Sequence, residues 1–123
     1  IGVEQIKKLK WRVERKKEIL QRYKDNLKDV KQIQFFEQDL KNTTPWFIDV
    51  FAQDRVGLMT HLKGNNIGSR VMYPPINKQK AYDVAGENPI SNMVGKKGLW
   101  LPSASQLTDE QVDRICASIN DYY

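Results

Sequence analysis

The chain has 123 residues, of which 40% are hydrophobic and 28% charged, and its formal net charge is +5. This length favours one compact domain, and this balance argues against global disorder. No apolar run approaches the roughly 20 residues that span a bilayer; the opening IGVEQIKKLKWR has no signal-peptide core, and one cysteine with one histidine excludes an intrachain disulfide and argues against a dedicated transition-metal site.

The lone Cys116 fits a reducing compartment, which makes the cytoplasm the expected location. The charge is uneven. Residues 1–31 hold 11 Lys/Arg against 5 Asp/Glu, while the remainder hold 9 against 10. The basicity therefore belongs to one segment. It raises the question of a nucleic acid or another acidic partner, and equally fits a helix with a solvated, lysine-rich side.

Residues 3–29 read as one long amphipathic helix. Val3, Ile6, Leu9, Val13, Leu20, Tyr23 and Leu27 recur at spacings of three, four and seven, and no Gly or Pro interrupts them. No Ser, Thr, Asp or Asn stands at its entrance, so the helix is expected to continue something longer. The polar stretch that follows contains IQFF, a short candidate strand, and NTTP, a turn signal. WFIDVF at 46–51 is rich in β-formers and reads as a buried strand. Asp54 is placed to cap a helix over 55–64 with Val56, Met59 and Leu62 inward. KGNNIG stops that helix and offers left-handed positions.

SRVMYPP at 69–75 reads as a strand ended by proline. Alternation puts Arg70 and Met72 on one face, Val71 and Tyr73 on the other. INKQKAYDVAGENP suggests a short helical turn and a loop. Pro89 opens a short helix over 90–97 with Ile90, Met93 and Val94 apolar. GLWLPS is a further strand closed by Pro102. Thr108 and Gln111 have capping-box spacing, and Val112, Ile115, Cys116 and Ile119 mark a last helix. Strands alternate with helices, which predicts an α/β or α+β two-layer domain.

These pieces, in this order, resemble the DegT/DnrJ/StrS-type sugar aminotransferases. TPWFIDV (44–50) looks like the first strand of the family's small domain. LMTHLKGNNIGSRVMYPPINKQKAY (58–82) is similar to its helix, turn and YPP corner. GLWLPSASQLTDEQVDRICASI (98–119) is similar to its ending, most of all in the perosamine-synthase-like branch that makes 4-amino sugars on nucleotide carriers. The resemblance implies the small C-terminal domain of a fold-type-I enzyme, with a short, mainly antiparallel sheet. It further implies that residues 1–30 are a linking helix and 31–123 the small domain. The parent would use pyridoxal phosphate to pass an amine from glutamate to a nucleoside-diphosphate keto sugar. The family's cofactor lysine lies upstream of Ile1, so this piece is expected neither to hold the cofactor nor to catalyse alone. Its share would be substrate placement.

Arg70 matches the family's strand arginine and is the first candidate for a substrate contact; its fork suits diphosphate oxygens. An edge-strand guard explains it equally. Tyr73 is either a sugar contact or a packed corner residue. Trp46 is either a core residue or a ligand contact. Met72 stands where many relatives have histidine, which suggests a more apolar sugar pocket. His61 is expected at the surface, Cys116 in the core, Ser103 and Ser105 in local caps, and Lys78 and Lys80 in solvent. Two further readings compete. The Lys/Arg run around Trp11 could bind nucleic-acid phosphates, though no helix-turn-helix, zinc-finger or RRM signature accompanies it. The stripe over 3–27 could also drive self-association into a homo-oligomer.

Overall fold

The computed structural model describes residues 1–82 and 86–123. Part of the loop expected after Lys80 lies outside the described residues. The single long helix of the sequence reading is two helices, α1 (Gly2–Lys7) and α2 (Leu9–Asn26). They join at Lys8, whose N–H bonds to the Gln5 carbonyl in a tight turn. The apolar stripe divides in the same way. Ile19, Leu20, Tyr23 and Leu27 are buried, whereas Val3, Ile6 and Leu9 are exposed. Stripe periodicity reports a face, not a partner, and α1 buries none of its residues.

Among the described residues four strands follow: β1 (Ile33–Phe35), β2 (Ile48–Ala52), β3 (Arg70–Val71) and β4 (Gly98–Leu101). They form one antiparallel sheet in the order β1-β2-β4-β3. The period-2 alternation assigns the two faces. Ile33, Ile48, Val50, Ala52, Leu99 and Leu101 point inward and are buried. They meet Ile19, Leu20 and Tyr23 of α2, Leu58 and Leu62 of α3 (Arg55–Gly64), and Val112, Ile115, Cys116 and Ile119 of α5 (Asp109–Tyr122) in one core. The two-layer antiparallel fold expected from the sequence is thus present. The second half of α2 is part of that same core.

Local signals set the helix ends. Asp54 accepts from the Gly57 N–H at 3.1 Å, which satisfies one of the free donors of α3. Asn66, at φ 58°, takes the left-handed position after it. The inward face of α3 is Leu58 and Leu62, with Met59 half-buried; Val56 is 71% exposed, contrary to expectation. Two residues from Leu58, it sits most of a half-turn away from the buried row. Thr108 and Gln111 make both bonds of the capping box at the start of α5.

The short helix after Pro89, α4 (Pro89–Lys97), buries none of its residues. Ile90 and Met93 are exposed rather than packed. Arg55 ties its end to the sheet by donating to the carbonyls of Gly95, at 2.7 Å, and Gly98, at 3.2 Å. No described helix is long and apolar enough to cross a membrane.

Candidate functional site: an aromatic platform on the outer face of the sheet

The residues that alternate with the core strands face outward. Register sets Asp49 and Arg70 on either side of Trp100. The Trp100 ring stacks on Phe47, with centroids 4.2 Å apart and planes 16° from parallel. Tyr73 meets it edge-on at 5.0 Å. Its Nε1–H donates to Asp49 Oδ1 at 2.7 Å. Gln38 Nε2 donates to Asp49 Oδ2 at 3.1 Å. Partial burial raises the Asp49 pKa above the usual carboxylate range, and the bonds from Trp100 and Gln38 oppose that rise.

Arg70 lies over this platform. Its guanidinium carbon is 5.3 Å from the Tyr73 centroid and 5.7 Å from that of Trp100. Such contacts hold a guanidinium by its face and leave its edge free. Among the described residues Arg70 forms no ion pair and no side-chain hydrogen bond. Its donors therefore remain available. An outward groove of about 290 Å³ runs beside it, with Phe47, Ser69, Trp100 and Ser103 in its walls.

The other candidates fall in different places. Tyr73, expected on the face opposite Arg70, comes back to the same side and is 64% exposed. The ladder of β3 ends at Val71, so the pleat no longer dictates where Tyr73 points. Met72 stays on Arg70's side of the strand, as alternation requires. It is buried beside Gly98, however, and does not line the groove. Trp46, weighed as a core residue, is 79% exposed. Alternation with Ile48 would carry it inward, but the ladder begins only at Ile48. Its ring meets Phe47 edge-on at 6.3 Å. Trp46 lines a second, largely apolar groove of about 650 Å³ with Leu9, Arg12, Val13 and Pro45. The two grooves share Phe47 and Ser103.

Cys116 is buried, and burial raises its thiol pKa to about 11, which suits a core residue. His61 is half-buried, 5.3 Å from the Tyr122 ring, rather than free at the surface. Ser103 Oγ donates to the Trp46 carbonyl at 3.4 Å, and Ser105 is buried beside Gln106; neither caps a helix. Asp49 and Trp100 were not singled out in the sequence. The alternation of IDVF and GLWL carries both outward, but only the strand register shows that they meet.

The residues present do not fit pyridoxal phosphate. That cofactor needs a lysine at its aldehyde and a carboxylate at its ring nitrogen. Lys16 reaches the larger groove, but its Nζ donates to the Trp46 carbonyl at 2.9 Å, and no Asp or Glu lines that groove. The basic run is spent only in part within the fold. Lys7 pairs with Glu4, Arg15 with Glu18 and Asp109, and Lys17 donates to the Leu40 carbonyl, while Lys8, Lys10 and Arg12 form no ion pair and no side-chain hydrogen bond among the described residues.

An outward aromatic wall carrying Arg70 thus stands on an antiparallel sheet backed by helices, the architecture of a candidate binding surface. Residues 1–120 match the family model described as the DegT/DnrJ/EryC1/StrS aminotransferase family, and the chain belongs to that family. It is 32% identical over its whole length to the GDP-perosamine synthase of Escherichia coli O157:H7 and 30% identical to that of Vibrio cholerae. The match takes in 35% and 36% of those proteins, at their C-terminal part, so the chain spans about a third of the length of these curated relatives. Among solved structures, a DegT DnrJ EryC1 StrS aminotransferase from Brucella abortus superposes with a TM-score of 0.87 at 26% identity, over 98% of this chain and 33% of that one. TlmJ from Streptoalloteichus hindustanus shares the fold at a TM-score of 0.90 and 22% identity. These relatives favour the sugar aminotransferase reading over the nucleic-acid one.

Proposed function

We propose that this chain is the substrate-placing C-terminal domain of a pyridoxal-phosphate-dependent nucleotide-sugar aminotransferase, acting in the cytoplasm. Residues 1–30 would link it to the part of the protein that holds the cofactor, and 31–123 would form the small domain. The parent would pass an amine from glutamate to a nucleoside-diphosphate keto sugar, giving a 4-amino sugar for a surface polysaccharide or related glycan. The cofactor supplies the electron sink of that chemistry.

The observation that carries the reading is the free guanidinium of Arg70, held by its face over Tyr73 and Trp100. A planar fork with unspent donors at a groove mouth matches the oxygens of a diphosphate. Tyr73, exposed beside it, offers a hydroxyl to the sugar. Trp46 offers an open ring face across Phe47. Met72, buried beside Gly98 on the same side of the strand, would shape the apolar surroundings of the site rather than touch sugar.

The test is kinetic and uses the full-length protein that carries this chain. Arg70→Ala should lower kcat/KM for the keto sugar by about tenfold or more, on the scale of a lost charge-assisted contact. The half-reaction with glutamate should be unchanged. An unchanged kcat/KM for the sugar removes the site role of Arg70 and leaves it an edge guard. Mixing the 123-residue chain with pyridoxal phosphate and glutamate adds a separate check. A stoichiometric, glutamate-sensitive absorbance band would overturn the assignment of the cofactor to the rest of the protein.

A further inference from the structure

We infer that Asp49 is a positioning residue for the Arg70 site, acting through Trp100; the inference rests on the reading of Arg70 as the substrate contact. Three observations carry it. First, Asp49 does not line the groove beside Arg70, so it acts on that groove only through another residue. Second, its carboxylate is occupied at both oxygens by neutral donors from two elements, Trp100 of β4 and Gln38 of the β1–β2 connection. Third, a half-buried carboxylate with no cationic partner among the described residues is costly to keep in a sheet. An apolar residue would serve packing alone more cheaply.

What the carboxylate secures is the rotation of one ring. Stacking on Phe47 fixes the plane of Trp100 but leaves the indole free to turn over within it. The bond from Nε1 to Asp49 Oδ1 removes that choice. One orientation of the indole then presents its edge and face to Tyr73 and Arg70 together. Apart from this ring and Tyr73, which itself packs edge-on against it, Arg70 has no anchor among the described residues, so the aim of its fork depends on the ring directly and through Tyr73. Gln38 fixes Asp49 in turn, and a connecting segment thus helps to set the groove geometry.

The test compares Asp49→Ala, Asp49→Asn and Arg70→Ala in the full-length protein, with GDP as the binding probe. Asp49→Ala should weaken GDP binding by about three- to tenfold, the loss expected when a hydrogen bond that orders a site is removed. Asp49→Asn keeps an acceptor for the indole and should restore binding to within about twofold. The indole N–H resonance of Trp100 should move in Asp49→Ala and stay near its place in Asp49→Asn. A purely structural role would alter thermal stability and leave GDP binding per folded molecule unchanged, which would overturn the inference. If Arg70→Ala leaves GDP binding intact, the underlying reading of the groove fails. If Arg70→Ala weakens binding and Asp49→Ala does not, only the positioning role fails. Should Asp49→Ala not fold, Trp100→Phe removes the same donor and keeps an aromatic ring. It should weaken binding to a similar extent, and unchanged binding would sink the proposal.

Discussion

Arg22 on α2 closes on Asp113 of α5 with two nitrogens along one edge of its guanidinium, Nε to Oδ1 at 2.7 Å and Nη2 to Oδ2 at 2.6 Å. Its remaining nitrogen, Nη1, donates to Asp109 Oδ2 at 2.9 Å, and Arg15 donates to the other oxygen of Asp109 at 2.7 Å. Two arginines of one helix therefore meet two carboxylates of the other, one turn apart. The pairing fixes the register of α2 against α5 above the core that both helices bury.

The Arg22 bond holds the Asp113 carboxyl below the usual carboxylate range. The Tyr122 hydroxyl, bonded at 2.6 Å, does the same for Asp54. A depressed carboxyl contributes stability above its unfolded value of about 4, and that contribution is lost as pH falls through the lower folded value. Urea unfolding followed by circular dichroism should therefore show stability dropping below about pH 4. Asp113→Asn should flatten part of that drop. Arg22→Lys should not substitute for the arginine, because an ammonium cannot make the planar, bidentate contact. An Asp113→Asn profile that overlays the wild type would show that the pairing contributes nothing measurable.

Gly98 is where the YPP corner and α4 meet the sheet. A Cβ there would lie 2.5 Å from Met72 Sδ and 2.5 Å from the Val94 carbonyl oxygen. The methionine could move, but the backbone oxygen could not without unwinding the end of α4. Gly98→Ala should cost about 1–3 kcal/mol, in the range of overpacked cores. In the full-length protein, on the function proposed above, the same variant should also weaken sugar binding, because Met72 follows the segment that carries Arg70. Denaturant titration and sugar KM measured on one preparation check both effects.

How far the sequence reached depended on the range of each interaction. The Asp54 cap and the Thr108–Gln111 box are contacts over a few residues, and they were legible to the residue, whereas KGNNIG offered left-handed positions without saying that Asn66 would take one. The fold class followed from the order of such elements. Burial was less legible, because a stripe does not say whether anything lies opposite. Leu20 and Val3 are the same kind of position in the pattern, yet one is in the core and the other on the surface. Trp46 failed for a related reason, since the buried strand was begun at 46, two residues before the ladder starts. Of the candidate site, Arg70 and Tyr73 were found and placed on opposite faces. Asp49, Gln38 and Trp100 escaped notice, because they are joined only by strand pairing and a turn.

Cys116 gives a local reading of α5. It is 2% exposed, and burial lifts its pKa to about 11, so little thiolate exists at neutral pH and none is accessible. A thiol reagent at pH 8 should label the native chain far more slowly than the unfolded chain, with a rate set by opening of the helix. Thr108→Ala removes the cap and should destabilise the chain by about 1 kcal/mol while speeding labelling. Rapid labelling of the native wild type would mean that α5 frays as deep as its third turn.

The row Val3, Ile6, Leu9 is the largest open question that α1 poses, since all three side chains are more than half exposed. The later stripe residues, Leu20, Tyr23 and Leu27, are committed to the core and unavailable to a partner. The self-association proposed for residues 3–27 therefore narrows to α1 and the start of α2, beside the apolar groove at Trp46. Such a surface costs free energy in water in proportion to its apolar area. The 123-residue chain alone should thus sediment as a concentration-dependent mixture of monomer and larger species. Val3→Ser with Ile6→Ser should shift that mixture to monomer without lowering the unfolding midpoint, because neither residue supports the core. A wild-type chain that stays monomeric at high concentration would exclude self-association through this row. A double variant that loses stability would show instead that α1 folds back on the domain in solution.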